Sequence, residues 1–110
     1  LHIHARDDER VLFNGGAGEP SKQVTEFTSV AESTARWVKR NGCQPTPRTV
    51  LDEPGAKCVV HDGCQGGSQV RLCVTDTGGH SWPGGGKVLG KRGSQALSAT
   101  TEMERFFFER

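Results

Sequence analysis

Two side chains of this 110-residue chain combine a reactive chemical type with a suitable setting. His80 stands between a β-rich segment and a run of glycines, where an imidazole is held by a rigid scaffold yet meets a substrate, as a general base requires. Asp8 follows another β-rich segment and is placed to orient that imidazole. Each residue alone also fits a plainer role, a loop histidine bonded to a turn and a solvated carboxylate.

The order of the two residues along the chain favours catalysis. Hydrolases of the α/β type present Ser, then Asp or Glu, then His, each on a loop that follows a strand. Asp8 precedes His80 by 72 residues, which leaves room for the helix of a right-handed strand crossover. No serine lies in a Gly-x-Ser-x-Gly motif, so His80 has no hydroxyl to activate and no oxyanion hole beside it. The chain alone is therefore predicted to be inactive.

The other histidines are predicted to be structural. His2 and His4 point to the same side of a strand, and only a third ligand from Asp8 or His80 would make them a metal site. Packing is the favoured interpretation, and no metal or cofactor is predicted. His61, on a predicted hairpin, is expected to face solvent.

The elements that must position these residues are predicted from the periodicity of apolar residues and from the residues that begin and end helices and turns. Alternation predicts a strand over residues 1–5, and glycine and proline predict a loop over 14–20. A capping box at Ser29 and Glu32 begins a helix that ends at Asn41 and Gly42. Its apolar stripe is Val30, Thr34, Trp37 and Val38.

The second half is predicted to contain a hairpin and a helix. Three prolines make residues 44–55 a connector that cannot pair continuously. Residues 57–61 and 69–75 are the two hairpin strands, residues 78–86 form a shaped loop, and residues 98–110 form an amphipathic helix. That helix presents Ala99, Met103, Phe106 and Phe107 on one face.

Four cysteines allow three pairings, and no pair has the CxxC spacing of a zinc site. Disulfides are therefore favoured over zinc. A hairpin centred between residues 65 and 66 sets Cys58 opposite Cys73, which leaves Cys43 with Cys64. Disulfides imply an oxidising compartment, so the protein is predicted to be secreted or periplasmic.

Charge and length exclude several classes of function. A net charge of +1 gives no basic excess for nucleic acid or anionic lipid, and no apolar run is long enough to span a bilayer. The length suits a single domain.

Three stretches resemble the secreted feruloyl esterases and polyhydroxybutyrate-depolymerase-like esterases of the α/β-hydrolase fold. Residues 78–85 read Gly-Gly-His-Ser-Trp-Pro-Gly-Gly, residues 4–16 are similar to that family's strand end and loop, and residues 29–43 to its helix ending in Asn-Gly-Cys. The resemblance implies that His80 is the triad base and Asp8 the acid, with Asp7 as the alternative. Trp82 then either lines the substrate pocket or braces the loop. The family's bridge implies the same Cys43–Cys64 pairing.

We therefore expect residues 1–110 to be the C-terminal part of one α/β-hydrolase domain, comprising the last strands and helices of a doubly wound sheet. The nucleophile half is expected upstream of Leu1, and that segment or another chain should complete the sheet. The resemblance implies carboxylic ester substrates, either feruloylated plant polysaccharide or a polyester oligomer. The alternative is a non-catalytic, disulfide-stabilised binding module.

Overall fold

The computed structural model describes residues 1–16, 28–88 and 91–109. The elements in chain order are the strand β1 (His2–Ala5), the helix α1 (Val30–Arg40), the strands β2 (Arg48–Glu53) and β3 (Ala56–His61), a 3₁₀ turn (Gln65–Gly67), the strands β4 (Val70–Thr75), β5 (Lys87–Val88) and β6 (Lys91–Arg92), and the helix α2 (Ala99–Phe108). Neither described helix is long and apolar enough to cross a membrane. The predicted loop 14–20 and helix 98–110 each extend beyond the described residues, at 17–20 and at 110.

Four strands form one mixed sheet in the order β1-β4-β3-β2. β1 is parallel to β4, with Ala5 opposite Thr75, whereas β4, β3 and β2 are joined antiparallel. Because β1 and β4 run the same way, their carboxyl ends meet at one edge of the sheet. The loops that carry Asp8 and His80 leave from that shared edge.

The prediction that residues 44–55 are a connector that cannot pair continuously was wrong, because the strand β2 lies within them. Arg48–Glu53 pairs with β3, with an irregularity in register between Thr49 and Leu51. The prolines flank the strand at positions 45, 47 and 54 and none interrupts it. β2 is also at the edge of the sheet, where proline near a strand is tolerated.

The helix α1 begins and ends as its sequence predicts. The Ser29 hydroxyl accepts a hydrogen bond from the Glu32 amide at 3.0 Å, and Gly42 beyond the helix end has φ +66°. Val30, Thr34 and Val38 are buried against the sheet, whereas Trp37 is 54% exposed. The Trp37 ring lines a cavity of about 340 Å³ beside β1. The predicted stripe is therefore correct except at Trp37.

The helix α2 presents a different face from the one predicted. Ala99 and Phe106 are buried as expected, but Met103 and Phe107 are exposed. Glu102 is buried in their place, at 1% exposure. Oε2 of Glu102 forms an ion pair with Nη2 of Arg71 on β4 at 2.7 Å. This ion pair holds the charged side of α2 against the sheet.

Two disulfides join the elements with the predicted partners. Cys58 and Cys73 face each other on β3 and β4, and both are completely buried in the core with Ala56 and Leu97. Cys43 and Cys64 join the end of α1 to the turn after β3. The two bonds tie α1 and the hairpin into one unit.

Candidate active site

Asp8 is held in a tight turn that begins where β1 ends. The Arg6 amide still donates to the Thr75 carbonyl at 2.8 Å, and the chain then turns so that the Asp8 side chain is only 6% exposed. Oδ1 of Asp8 accepts hydrogen bonds from the backbone amides of Arg10 and Val11, both at 2.9 Å. Asp8 thus closes its own turn, a pattern to which aspartate is suited.

His80 faces the second oxygen of the same carboxylate. Nδ1 of His80 lies 3.0 Å from Oδ2 of Asp8, although the residues are 72 positions apart in the chain. An ionised carboxylate only accepts, so Nδ1 carries a hydrogen, and in the neutral imidazole the lone pair is then on Nε2. The His80 side chain is 56% exposed. The pair therefore has the orientation of an acid–base couple, with a buried carboxylate fixing the tautomer of an accessible imidazole.

The environment of Asp8 favours its ionised form. Burial raises the pKa of Asp8, but the hydrogen bonds from the Val11 amide, from His80 and from the Arg10 amide lower it, and the net pKa is below the ordinary value. Asp8 is therefore an anion at neutral pH, as an orienting carboxylate must be.

Asp7 and Asp8 have different partners. Oδ1 of Asp7 accepts a hydrogen bond from the Gly79 amide at 2.8 Å, so Asp7 contacts the backbone next to His80. The imidazole itself is bonded to Asp8. Both carboxylates hold the loop of residues 78–86, but of the two it is Asp8 that is hydrogen-bonded to the imidazole.

The loop around His80 is packed tightly on residues 93–98. A β-carbon at Gly78 would lie 2.4 Å from the Ser94 nitrogen, and one at Gly93 would lie 2.1 Å from the Trp82 carbonyl oxygen. The Gly84 amide donates to the Ser94 carbonyl at 2.7 Å. Glycine is required at positions 78 and 93 because the two backbones approach so closely. His80 is thus presented by a braced loop.

Trp82 braces this loop and is also accessible. Its indole Nε1 donates to the Thr100 hydroxyl on α2 at 3.3 Å, and the residue is 56% exposed. The bracing role is visible in this contact, and the substrate role stays a prediction.

His2 and His4 stack with ring centroids 5.2 Å apart, and Nε2 of His2 lies 3.0 Å from Nδ1 of His4. Nε2 of His4 lies 2.7 Å from the Val11 carbonyl oxygen. Burial, and then the neighbouring His4, lower the pKa of His2. Three of their four ring nitrogens are thus engaged in hydrogen bonds within the protein.

The prediction that His61 faces solvent was wrong. His61 is 9% exposed, and its Nδ1 donates to the Gln44 carbonyl at 3.0 Å. The Cys43–Cys64 disulfide brings the chain after α1 back over the end of β3, which covers this imidazole.

In the part of the chain that the structure describes, one group of potential metal-ligating side chains converges: Cys58, Cys73 and Glu102. Both sulfurs are joined in a disulfide, which leaves a single carboxylate as a ligand. This group therefore does not provide a ligand set.

Sequence reasoning missed the parts of the site that come from the backbone. The Arg10 and Val11 amides that bind Asp8 have no signature in residue type. The available signal is an aspartate in a turn, because its carboxylate commonly accepts from the amides two and three residues later, here those of Arg10 and Val11. The contact of His4 with the same turn was also missed.

Comparison with known proteins gives one informative relationship. The chain is 33% identical over 90 residues to feruloyl esterase B from Piromyces equi, and the match covers 80% of this chain. It spans 16% of the length of that curated relative. No protein-family profile matches the chain. No solved structure matches it either. The relationship is thus to an esterase, over a small part of a much longer protein.

Proposed function

We propose that this chain is the acid-and-base part of a serine carboxylic-ester hydrolase. The observation that carries the proposal is the 3.0 Å contact between Nδ1 of an exposed His80 and Oδ2 of a buried Asp8, at the shared carboxyl edge of two parallel strands. The similarity to feruloyl esterase B supports it independently. The order Asp then His agrees with the α/β-hydrolase arrangement, and we propose that fold for the whole domain.

In the proposed reaction, Nε2 of His80 takes the proton of a serine hydroxyl while the serine oxygen attacks the ester carbonyl. Asp8 stabilises the imidazolium, and His80 returns the proton to the departing alcohol, leaving an acyl-enzyme. Water then attacks the acyl group, again giving its proton to Nε2. The serine is regenerated when His80 returns that proton, and the carboxylic acid is released.

The serine comes from a segment outside these 110 residues, because the sequence contains no Gly-x-Ser-x-Gly. Within the described residues, β1 is hydrogen-bonded to β4 alone, so its other edge presents unpaired backbone groups to which a further strand can bind. We propose that the serine-bearing segment, on the same chain or another, pairs with this edge of β1.

The substrate is proposed to be a carboxylic ester of feruloylated plant polysaccharide or a polyester oligomer. The exposed ring of Trp82 follows the base by two residues and offers an apolar face beside the acyl group. Two disulfides and an esterase relative support a secreted or periplasmic location.

A second candidate is a non-catalytic binding module. The absence of a nucleophile motif from the sequence favours it, and the exposed indoles of Trp37 and Trp82 offer contact surfaces. In that case the Asp8–His80 pair would only brace the loop.

The test is to treat the protein from its native source, unreduced, with a fluorophosphonate serine probe and to read the intact mass under denaturing conditions. A labelled species well above 11.9 kDa that contains these residues supports the esterase. An unlabelled chain of 11.9 kDa in a preparation in which no co-purifying chain is labelled contradicts it and favours the binding module.

Variants of the labelled species then test the roles of the residues. Asp8→Asn turns an amide NH₂ toward Nδ1 of His80 and favours the wrong tautomer, so kcat should fall by about 10³- to 10⁴-fold. Asp7→Asn is the matched control, because its amide oxygen still accepts from Gly79. Equal activity in the two variants would contradict the role of Asp8.

A further inference from the structure

We propose that His4 is a positioning residue of the esterase site, holding the turn that carries Asp8 and thereby the orientation of His80. The inference rests on the proposed function and assigns to that site a residue that packing alone does not explain. His4 lies on β1 four residues before Asp8 and touches the same turn from inside the protein.

The backbone of Val11 contacts both His4 and Asp8. Nε2 of His4 lies 2.7 Å from the Val11 carbonyl oxygen, and the Val11 amide donates to Oδ1 of Asp8 at 2.9 Å. A carbonyl only accepts, so His4 carries its hydrogen on Nε2. Val11 is therefore fixed by His4 through one backbone group and fixes Asp8 through the other.

His4 also lies next to the carboxylate oxygen that faces His80. Nε2 of His4 lies 3.6 Å from Oδ2 of Asp8, the same oxygen that receives Nδ1 of His80. The His4 side chain is 8% exposed, whereas that of His80 is 56% exposed. His4 thus covers the inner side of Oδ2 and is shielded from any substrate, which makes its action indirect.

The imidazole of His4 is held by hydrogen bonds at both of its nitrogens. In the neutral imidazole with its hydrogen on Nε2, Nδ1 of His4 holds a lone pair and accepts from Nε2 of His2 at 3.0 Å. The hydrogen bonds therefore run in one direction, from His2 through His4 to Val11. This chain fixes the imidazole of His4, so that the hydrogen bond to the turn is preorganised.

The experiment measures the tautomer of His80 from the ¹⁵N shifts of its ring in the 110-residue chain. In the wild type we expect hydrogen on Nδ1, bonded to Asp8. His4→Leu removes the donor at similar volume, and we expect His80 to move toward the Nε2–H tautomer that a solvated neutral imidazole prefers. His4→Gln keeps an N–H donor near the position of Nε2 and should restore the wild-type tautomer.

Circular dichroism reports whether each variant folds. If His4→Leu does not fold, His4→Asn takes its place, since the shorter amide is polar but does not reach Val11. Wild-type tautomer populations in a folded Leu or Asn variant would overturn the role of His4.

The variant Asp8→Asn distinguishes an error in the role of His4 from an error in the proposed function. If that change also leaves the His80 tautomer unaltered, the Asp8–His80 pair itself is not formed. In the complete esterase, His4→Leu should lower kcat about 10- to 100-fold with little change in KM, because a misplaced base slows the chemical step. An unchanged kcat would contradict the proposal.

Discussion

The carboxylate of Asp8 uses its two oxygens for different purposes. Oδ1 closes the turn through the Arg10 and Val11 amides, and Oδ2 faces the imidazole of His80. The first set of bonds fixes the direction in which the second oxygen points. Removing the carboxylate should therefore affect stability as well as orientation.

The contribution of Asp8 to stability should depend on pH. Its folded-state pKa is lowered, so the stabilisation is complete above the unfolded value of about 3.9 and is lost as the pH falls through the folded value. Asp8→Ala should lower the free energy of unfolding by about 1–3 kcal/mol at pH 7. The difference from wild type should shrink below about pH 4. Urea denaturation at pH 7 and pH 3 measures both values, and a difference independent of pH would contradict this expectation.

At the residue scale, the sequence indicated that Asp8 and His80 meet but could not exclude Asp7 as the partner of His80. Both carboxylates follow the same strand, and only the turn geometry shows which one faces the imidazole. The solvent-facing prediction for His61 failed because its cover comes from Gln44, a residue distant in the sequence. Contacts between distant loops leave no local pattern for a sequence reading to detect.

At the scale of elements, α2 is attached to the sheet through a buried charge. The Glu102 carboxylate forms one ion pair with the guanidinium of Arg71 on β4, at 2.7 Å, and a second with that of Arg105 on its own helix, at 3.0 Å. The Arg71 side chain is largely buried, whereas that of Arg105 is 47% exposed. The two ion pairs should therefore differ greatly in their energetic importance.

Glu102→Ala should be strongly destabilising, because it leaves the guanidinium of Arg71 buried without its partner. We expect a loss of about 3–5 kcal/mol in the free energy of unfolding. Arg105→Ala removes only the exposed partner and should cost about 1 kcal/mol or less. Chemical denaturation of the two variants makes the comparison. A similar loss in the free energy of unfolding in Glu102→Ala and Arg105→Ala would contradict the view that Glu102 stabilises the fold mainly through Arg71.

The elements that were predicted correctly have strong local signals. The capping residue Ser29 and the terminal Gly42 define α1, and the cysteine register defines the β3–β4 hairpin. β2 was missed because prolines that flank a strand look the same in sequence as prolines that break one. The apolar face of α2 was misassigned because a glutamate was not expected in the interior.

At the scale of the whole molecule, the two disulfides differ in accessibility. Cys58 and Cys73 are completely buried, whereas Cys43 and Cys64 are each partly exposed. Thiol–disulfide exchange requires access to sulfur. The Cys43–Cys64 bond at the end of α1 is therefore open to thiol–disulfide exchange, whereas the Cys58–Cys73 bond is shielded in the core.

Mild reductant should open Cys43–Cys64 before Cys58–Cys73. Trapping free thiols with iodoacetamide, followed by peptide mass measurement, would show the order. Replacing Cys43 and Cys64 by alanine provides the control, since the remaining bond should then resist reduction until urea is added. Simultaneous reduction of both bonds in the native chain would contradict the accessibility argument.

The parallel pairing of β1 with β4 has a consequence for folding. It joins His2 to Leu72, whereas the β3–β4 hairpin joins residues as near as His61 and Val70. Contacts between distant residues form late, because a long loop must close before they contribute stability. We expect amides of the hairpin to be protected from hydrogen exchange during refolding before those of β1. Asp8 and His80 would then meet in the last step, so that a partly folded chain would not contain the acid–base pair.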